Sequence, residues 1–365
     1  MSLVAGAEGA LPAYLGECVE VVEGALGDEA PEVAAHACLA CCALCDALGR
    51  RLGSANALRL ARRATVQTGH TRAAVRLAAL DALRSLVHAG AHEHLLVLAA
   101  FRHPNQVDVA AFYGAQQAQV NFLGKLACDR SPAVRLRLLR VAADWLLTLQ
   151  ERADHAPRLL PYVLAGLSDG AADVAAAAAE ALHRLGCAYE EEHAEELREL
   201  QAHCPDALHG KPLVNDGGLA LPPPPRLGTR LLVQESLATL LPPCLADLRV
   251  WADGVRPRAI ALLATLLRHS EQRAARHAPA LVPALCAAAA DEDACVAAGA
   301  LQCCRLLAQA TPPDAWLPPL MLASRAPPCS RDAVSRVTAA LCEASSPCSL
   351  EPHRASLEEL ERGTL

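Results

Sequence analysis

The feature that most constrains the fold is a phrase that returns at nearly fixed spacing. A turn residue or acid is followed by a few small or polar residues, then Val, often Val-Arg, then an Ala/Leu-rich run. TRAAVRLAALDALRSLV begins at Thr71, SPAVRLRLLRVAADWLL at Ser131, DGAADVAAAAAEALHRLG at Asp169, DGVRPRAIALLATLL at Asp253 and DEDACVAAGALQCCRLLA at Asp291. Weaker copies begin at Ala30 and Ser330. The marker valines are Val33, Val75, Val134, Val174, Val255, Val296 and Val334, separated by 42, 59, 40, 81, 41 and 38 residues. Most gaps lie near one value, and the gap of 81 is about twice it. A period of about forty residues belongs to helix-pair arrays of the HEAT or armadillo type. The sequence therefore predicts an all-α solenoid, a superhelix of antiparallel helix pairs with about seven repeats. Each repeat holds an A helix and then a B helix, which the marker phrase opens. Such arrays work through their surfaces more than through a catalytic pocket.

Composition agrees. Hydrophobic residues make up 53% of the chain but aromatics only 3%, with Ala and Leu dominant. Ala and Leu are strong helix formers, whereas strands favour β-branched and aromatic residues. The net charge of −7 argues against a general nucleic-acid binder, which needs a basic face to displace counterions. The 16 cysteines sit in helical patterns, where Cys behaves as a small hydrophobe, and reduced thiols fit the cytosol. The first residues show no basic leader followed by an apolar stretch. No uninterrupted apolar run reaches the roughly 18 residues of a membrane span. The expectation is a cytoplasmic chain with no membrane partner.

The A helices also resemble one another. HAPRLLPYVLAGL from His155 and HAPALVPALCAAA from His277 share H-A-P-x-L-x-P-x-L, and Pro161, Pro283 and Pro318 fall at equivalent places. A proline inside a helix removes a hydrogen bond and bends the element, so these are expected to set the curvature of the array. In the B helix opened by Val134, the residues Val134, Leu138, Val141, Trp145 and Leu149 form one apolar stripe, with Arg135, Arg137 and Asp144 largely elsewhere. Asp169, Asp253 and Asp291 precede B helices and are expected to cap their free N–H groups.

Two stretches interrupt the period. HLLVLAAFRHPNQVDVAAFYGAQQ, residues 94–117, lengthens one gap to 59. HCPDALHGKPLVNDGGLALPPPPRLG, residues 203–228, is a Pro/Gly-rich loop that follows the acidic stretch Tyr189–Leu200. The expected organisation is N-terminal repeats over 1–203 with an irregular insertion at about 94–120, a loop over 204–227, further repeats over 228–350 and a terminal segment over 351–365. Repeat arrays need polar end caps, and no convincing cap follows Pro347, so a piece of a longer array or a short form is expected.

From Ser131 to Ala310 the chain resembles the dynein axonemal assembly factor 5 family of HEAT-repeat proteins. The resemblance sits in SPAVRLRLLRVAADWLLTLQER, HAPRLLPYVLAGLSDGAADV, the acidic helix, the proline-rich loop and GTRLLVQESLATLLPPCLADLRVWADGVRPRAIALLATLLRHSE. Trp145 and the order acidic helix, proline loop, G-x-R-x-L-V are its more specific parts. The resemblance implies a non-catalytic cytoplasmic factor of ciliated cells that helps preassemble axonemal dynein arms for motile cilia. Its implied partners are axonemal dynein intermediate and heavy chains, other dynein assembly factors and chaperones. The alternative is a general HEAT scaffold of the transport or phosphatase type, and a thiol or metal enzyme is the third reading.

The candidate functional residues are few. Arg76, Arg135 and Arg256 directly follow marker valines. They are expected to reach acids of neighbouring repeats and support stacking, the alternative being a ladder for a partner. Glu191 and Glu195 belong to the acidic run Glu190, Glu191, Glu192, Glu195, Glu196 and Glu199, which reads as a solvated face or a dock for a basic partner. Cys38, Cys41, Cys42 and Cys45 form C-x-x-C-C-x-x-C, a zinc-like string, but helical spacing puts all four on one buried face. Cys303 and Cys304 take the same core reading. His88, His92 and His94 read as surface or capping residues rather than metal ligands. Pro222–Pro225 read as linker rather than a polyproline docking motif. No nucleophile elbow or phosphate loop is visible, so no catalytic residue, cofactor or metal is predicted.

Overall fold

In the computed structural model the described residues are 14–98, 121–150, 152–203, 225–250, 254–325 and 330–363. They are helical, with no strand among them. Seven marker-bearing B helices stand in order: α2 (Pro31–Leu48), α4 (Ala73–Leu86), α7 (Pro132–Thr148), α9 (Ala172–Glu192), α12 (Val255–Ser270), α14 (Ala294–Ala310) and α16 (Arg331–Ala344). The A helices are α1 (Leu15–Leu26), α3 (Ser54–Gln67), α6 (Phe122–Ala127), α8 (Arg152–Gly166), α11 (Leu227–Asp247), α13 (Ala278–Ala289) and α15 (Pro313–Arg325). The shorter helices are α5 (Leu95–Leu98), α10 (Ala194–His203), α17 (Pro347–Leu350) and α18 (Arg354–Gly363).

The chain divides into two compact units, Met1–Ala178 and Ala179–Leu365, with the division inside α9. In the first unit α1 packs on α2 and α3 on α4, while B helix lies on B helix from α2 to α4 to α7. In the second, α11 packs on α12, α13 on α14 and α15 on α16, with B-on-B packing from α12 through α14 to α16. Each helix buries its marker stripe. Val134, Leu138, Val141, Trp145 and Leu149 are all buried in α7, as are Val75, Val174, Val255, Val296 and Val334 in their own helices. Val33 is the exception at 39% exposure. These are HEAT-type stacked helix pairs, and the architecture is an all-α solenoid.

The gap of 81 takes up the acidic stretch and residues 204–224. Between Val174 and Val255 lie the rest of the 21-residue α9, the short α10, residues 204–224 and one A helix, α11. The insertion expected at about 94–120 and Pro222–Pro224 lie almost wholly outside the described residues, as does Asp253. The helices run through Pro161, Pro283 and Pro318, each losing one hydrogen bond without ending the element. One stretch, Pro31–Leu52, is by length and composition apolar enough to cross a membrane. Here its Ala/Cys stripe packs on α1 and α4.

Candidate interaction surface

Three turns between A and B helices are built alike. Asp129, Asp169 and Asp291 each place Oδ1 where the N–H two residues on, of Ser131, Ala171 and Asp293, donates to it at 2.8, 2.8 and 2.9 Å. This is an Asx turn, so Asp169 and Asp291 do not cap the first helical turn as expected. Asp293 does that for α14, accepting from the Cys295 N–H at 2.8 Å. The turn carboxylates are instead held by the arginine of the preceding B helix. Arg76 donates to Asp129 (Nη2–Oδ1 2.8 Å), Arg135 to Asp169 (Nε–Oδ2 and Nη2–Oδ1, both 2.7 Å) and Arg256 to Asp291 (Nη2–Oδ1 3.4 Å), with the Arg256 Nε 2.9 Å from Oδ2 in the same ion pair. Both partners are largely buried in each pair. Arg76 also donates to the carbonyls of His70 and Thr71, and Arg135 to that of Asp129. The Asp169 carboxylate raises the Arg135 pKa. These arginines therefore bind adjacent turns together rather than projecting outward.

The second turn shows the rule by its exception. His70 replaces the aspartate, its Nδ1 accepting from the Arg72 N–H at 3.0 Å. The preceding B helix correspondingly carries Ala34 where Arg76 stands in the next repeat.

Polar residues also connect the B helices. Arg137 pairs with Asp81, while Arg84 and His88 reach Asp144 at 3.5 and 3.0 Å. The His88 hydrogen bond, with Arg84, holds the Asp144 carboxyl below the usual carboxylate range despite burial. In the second unit Arg305 meets Glu343 at 3.5 Å.

The acidic stretch is divided in role. Glu191 and Glu195 are exposed, as expected of a solvated face. Glu190 is not part of such a face. It takes Arg226 in a two-pronged contact at 2.6 and 2.9 Å and accepts the Gly228 N–H at 2.9 Å, fastening the start of α11. Burial pushes the Glu190 carboxyl pKa up, but Arg226 and the Gly228 amide outweigh this and hold it low. Beside it Tyr189 stacks on His193 and donates to Glu235.

Cys38, Cys41 and Cys45 are buried and Cys42 half-buried. Burial pushes the Cys38 and Cys45 thiols up to about 12, and raises Cys41 and Cys42 as well. Thiols this reluctant to ionise are poor nucleophiles and ligands. Cys303 and Cys304 are buried with raised thiols too. No group of three or more metal-ligating side chains is assembled among the described residues. His94 departs from the surface or capping expectation. It is buried, bonded to Thr65 at 2.8 Å, and burial lowers its pKa to about 4.

Sequence reasoning missed one further constellation. Arg230 is 1% exposed and donates to Glu271 at 2.5 Å. Glu271 has φ 45° and ψ −131°, a conformation disfavoured for any residue with a Cβ. The matching junction after α2 has Gly49 at φ 51°, ψ −129°. Arg230 and Gly228 belong to the G-x-R-x-L-V phrase, which was the available signal.

The folded chain is thus a HEAT-type repeat protein in which a set of buried arginine–aspartate pairs joins neighbouring repeats. Two family models match it: the HEAT-repeat domain of dynein axonemal assembly factor 5 over residues 222–361, and the TPR repeats of dynein axonemal assembly factor 5-like proteins over residues 112–200. Both models describe dynein axonemal assembly factor 5 proteins, the family that the chain resembles. Dynein axonemal assembly factor 5 of Homo sapiens is 28% identical over 244 residues, covering 67% of this chain and 25% of the relative. The Xenopus laevis protein of that name is 26% identical over 239 residues, covering 64% and 27%. The chain thus spans about a quarter of the length of these relatives. Among solved structures, importin beta gives a TM-score of 0.39 at 14% identity over 96% of this chain and 44% of the other. Yeast importin-beta gives the same TM-score and identity over 98% and 44%.

Proposed function

We propose that this chain is a non-catalytic scaffold in the assembly of axonemal dynein. It acts in the cytoplasm of ciliated cells, where dynein arms are put together before delivery to motile cilia. The observation that supports this most is the match of both repeat segments to one assembly-factor family. The geometry agrees with a binding role. The buried arginine–aspartate pairs are engaged in joining repeats, and burial raises the Cys38, Cys41, Cys45, Cys303 and Cys304 thiols. Partners are held by many weak contacts along the exposed B-helix faces, so few single residues dominate. Dynein intermediate and heavy chains, and the chaperones that accompany them, are the proposed clients. Affinity purification of the tagged chain from differentiating ciliated cells, read by mass spectrometry, should recover dynein subunits above a tag-only control. Recovery of neither dynein subunits nor chaperones sinks the proposal.

A further inference from the structure

We infer that the connection Glu271–His277, between α12 and α13, is a latched joint. Arg230 of α11 holds it closed through Glu271, and losing that ion pair opens the connection without unfolding the helices around it. The inference does not depend on the dynein reading.

Two B helices end in the same way, at an offset of 222 residues that also relates Val33 to Val255. After α2 the backbone turns at Gly49 with φ 51° and ψ −129°, and the short 3-10 helix Gly49–Leu52 follows. After α12 it turns at Glu271 with φ 45° and ψ −131°, and the 3-10 helix Glu271–His277 follows. Glycine adopts this conformation freely, whereas a residue with a Cβ is strained in it. The buried anchor differs as well. Leu52 and its counterpart Ala274 are both 1% exposed, but alanine removes much less apolar surface from water than leucine. The first connection is therefore unstrained and well anchored, and the second is strained and weakly anchored.

Charge supplies what burial does not. Arg230 is 1% exposed, and its Nη1 donates to Glu271 Oε1 at 2.5 Å. One turn further along α11, Gln234 Nε2 donates to the His269 carbonyl at 3.1 Å. Helix α11 thus grips the end of α12 on either side of Ser270, which is fully buried. A disfavoured conformation persists only where its surroundings over-determine it, and a charge-assisted bond to a buried guanidinium is such a constraint. The Glu271 side chain is 32% exposed, so the carboxylate end of the pair already reaches solvent.

The segment 271–277 touches α12, α13, α14 and α15. Opening it would loosen the link from one helix pair to the next, while α11 stays packed on α12 and α13 on α14. The joint is a place where the spacing of successive pairs can change.

Substitutions at Glu271 separate the latch from the strain. Alanine removes the ion pair and keeps the strain, whereas glycine removes both. The joint should therefore open more with alanine than with glycine, the reverse of what backbone freedom alone would give. Hydrogen–deuterium exchange of the full chain, read by mass spectrometry on peptides spanning 271–277 and corrected for intrinsic rates, measures the opening. The segment should exchange about tenfold faster than the parent in Glu271→Gly and about a hundredfold faster in Glu271→Ala. Glu271→Gln, which keeps an acceptor for Arg230, should fall between the parent and Glu271→Ala. Peptides from α13 and α14 should exchange as in the parent. Exchange in Glu271→Gly equal to or above that in Glu271→Ala overturns the proposal. So does parent-like exchange in both, or an equal rise across α11 to α14.

Discussion

At Arg135 two nitrogens meet two oxygens of Asp169, and a third reaches the Asp129 carbonyl. Removing the guanidinium leaves a nearly buried carboxylate uncompensated. Arg135→Ala should therefore destabilise the chain by about 3 kcal/mol in chemical denaturation, and Arg135→Lys should restore only part, because an ammonium cannot make the planar two-pronged contact. Glu271 poses the opposite question. Glycine would relieve its backbone strain, worth about 1–3 kcal/mol, but would strip the fully buried Arg230 of a partner, which costs about 3–5 kcal/mol. Glu271→Gly should lower stability, and an unchanged or raised denaturation midpoint would show that the ion pair matters less than the strain. These residues also mark the limit of what sequence could tell. Arg76, Arg135 and Arg256 were visible because they follow the marker valine. Two of the aspartates that receive them, Asp169 and Asp291, read as helix caps, since an acid just before a helix has two possible uses and only the turn's hydrogen bonds choose between them.

Helix packing carries the next level of constraint. Where α9 crosses α11, Gly186 and Gly228 let the two backbones meet. A Cβ on Gly228 would overlap the Gly186 carbonyl, and one on Gly186 would overlap Thr229. Gly228→Ala should cost about 1–3 kcal/mol through overpacking, measured as a lowered melting temperature. Alanine at the exposed Gly170, which has open space, is a fair comparison. The end of α12 carries a pH dependence. Burial lowers the His269 pKa from 6.5 to about 4 while Thr265 accepts its Nδ1 bond. The folded state therefore favours neutral imidazole, and the unfolded chain binds the extra proton between these values. Stability from this group is fully present above pH 6.5 and is lost as pH falls toward 4. Denaturation midpoints for His269→Gln should fall less steeply than the parent's across that window. The α9–α11 crossing was only half legible. The valine period located most helices because burial repeats with the helical turn, and the gap of 81 is about twice that period because the acidic stretch and the Pro/Gly-rich loop interrupt it. Its length comes from a longer α9, from α10 and from residues 204–224, and spacing alone cannot tell an added repeat from an insertion.

Taken as a whole, the chain is built of two units of stacked helix pairs in which a set of buried arginine–aspartate pairs joins neighbouring repeats. That arrangement leaves recognition to extended helix surfaces, as proposed for a dynein assembly scaffold. The most direct test is to deplete the protein in differentiating ciliated cells, restore it with the native chain, and measure dynein-arm subunits in isolated axonemes by quantitative mass spectrometry. The account predicts loss of arm subunits on depletion and their recovery on restoration, with the axonemal tubulin content unchanged. Axonemes with a full complement of dynein arms after depletion would contradict it.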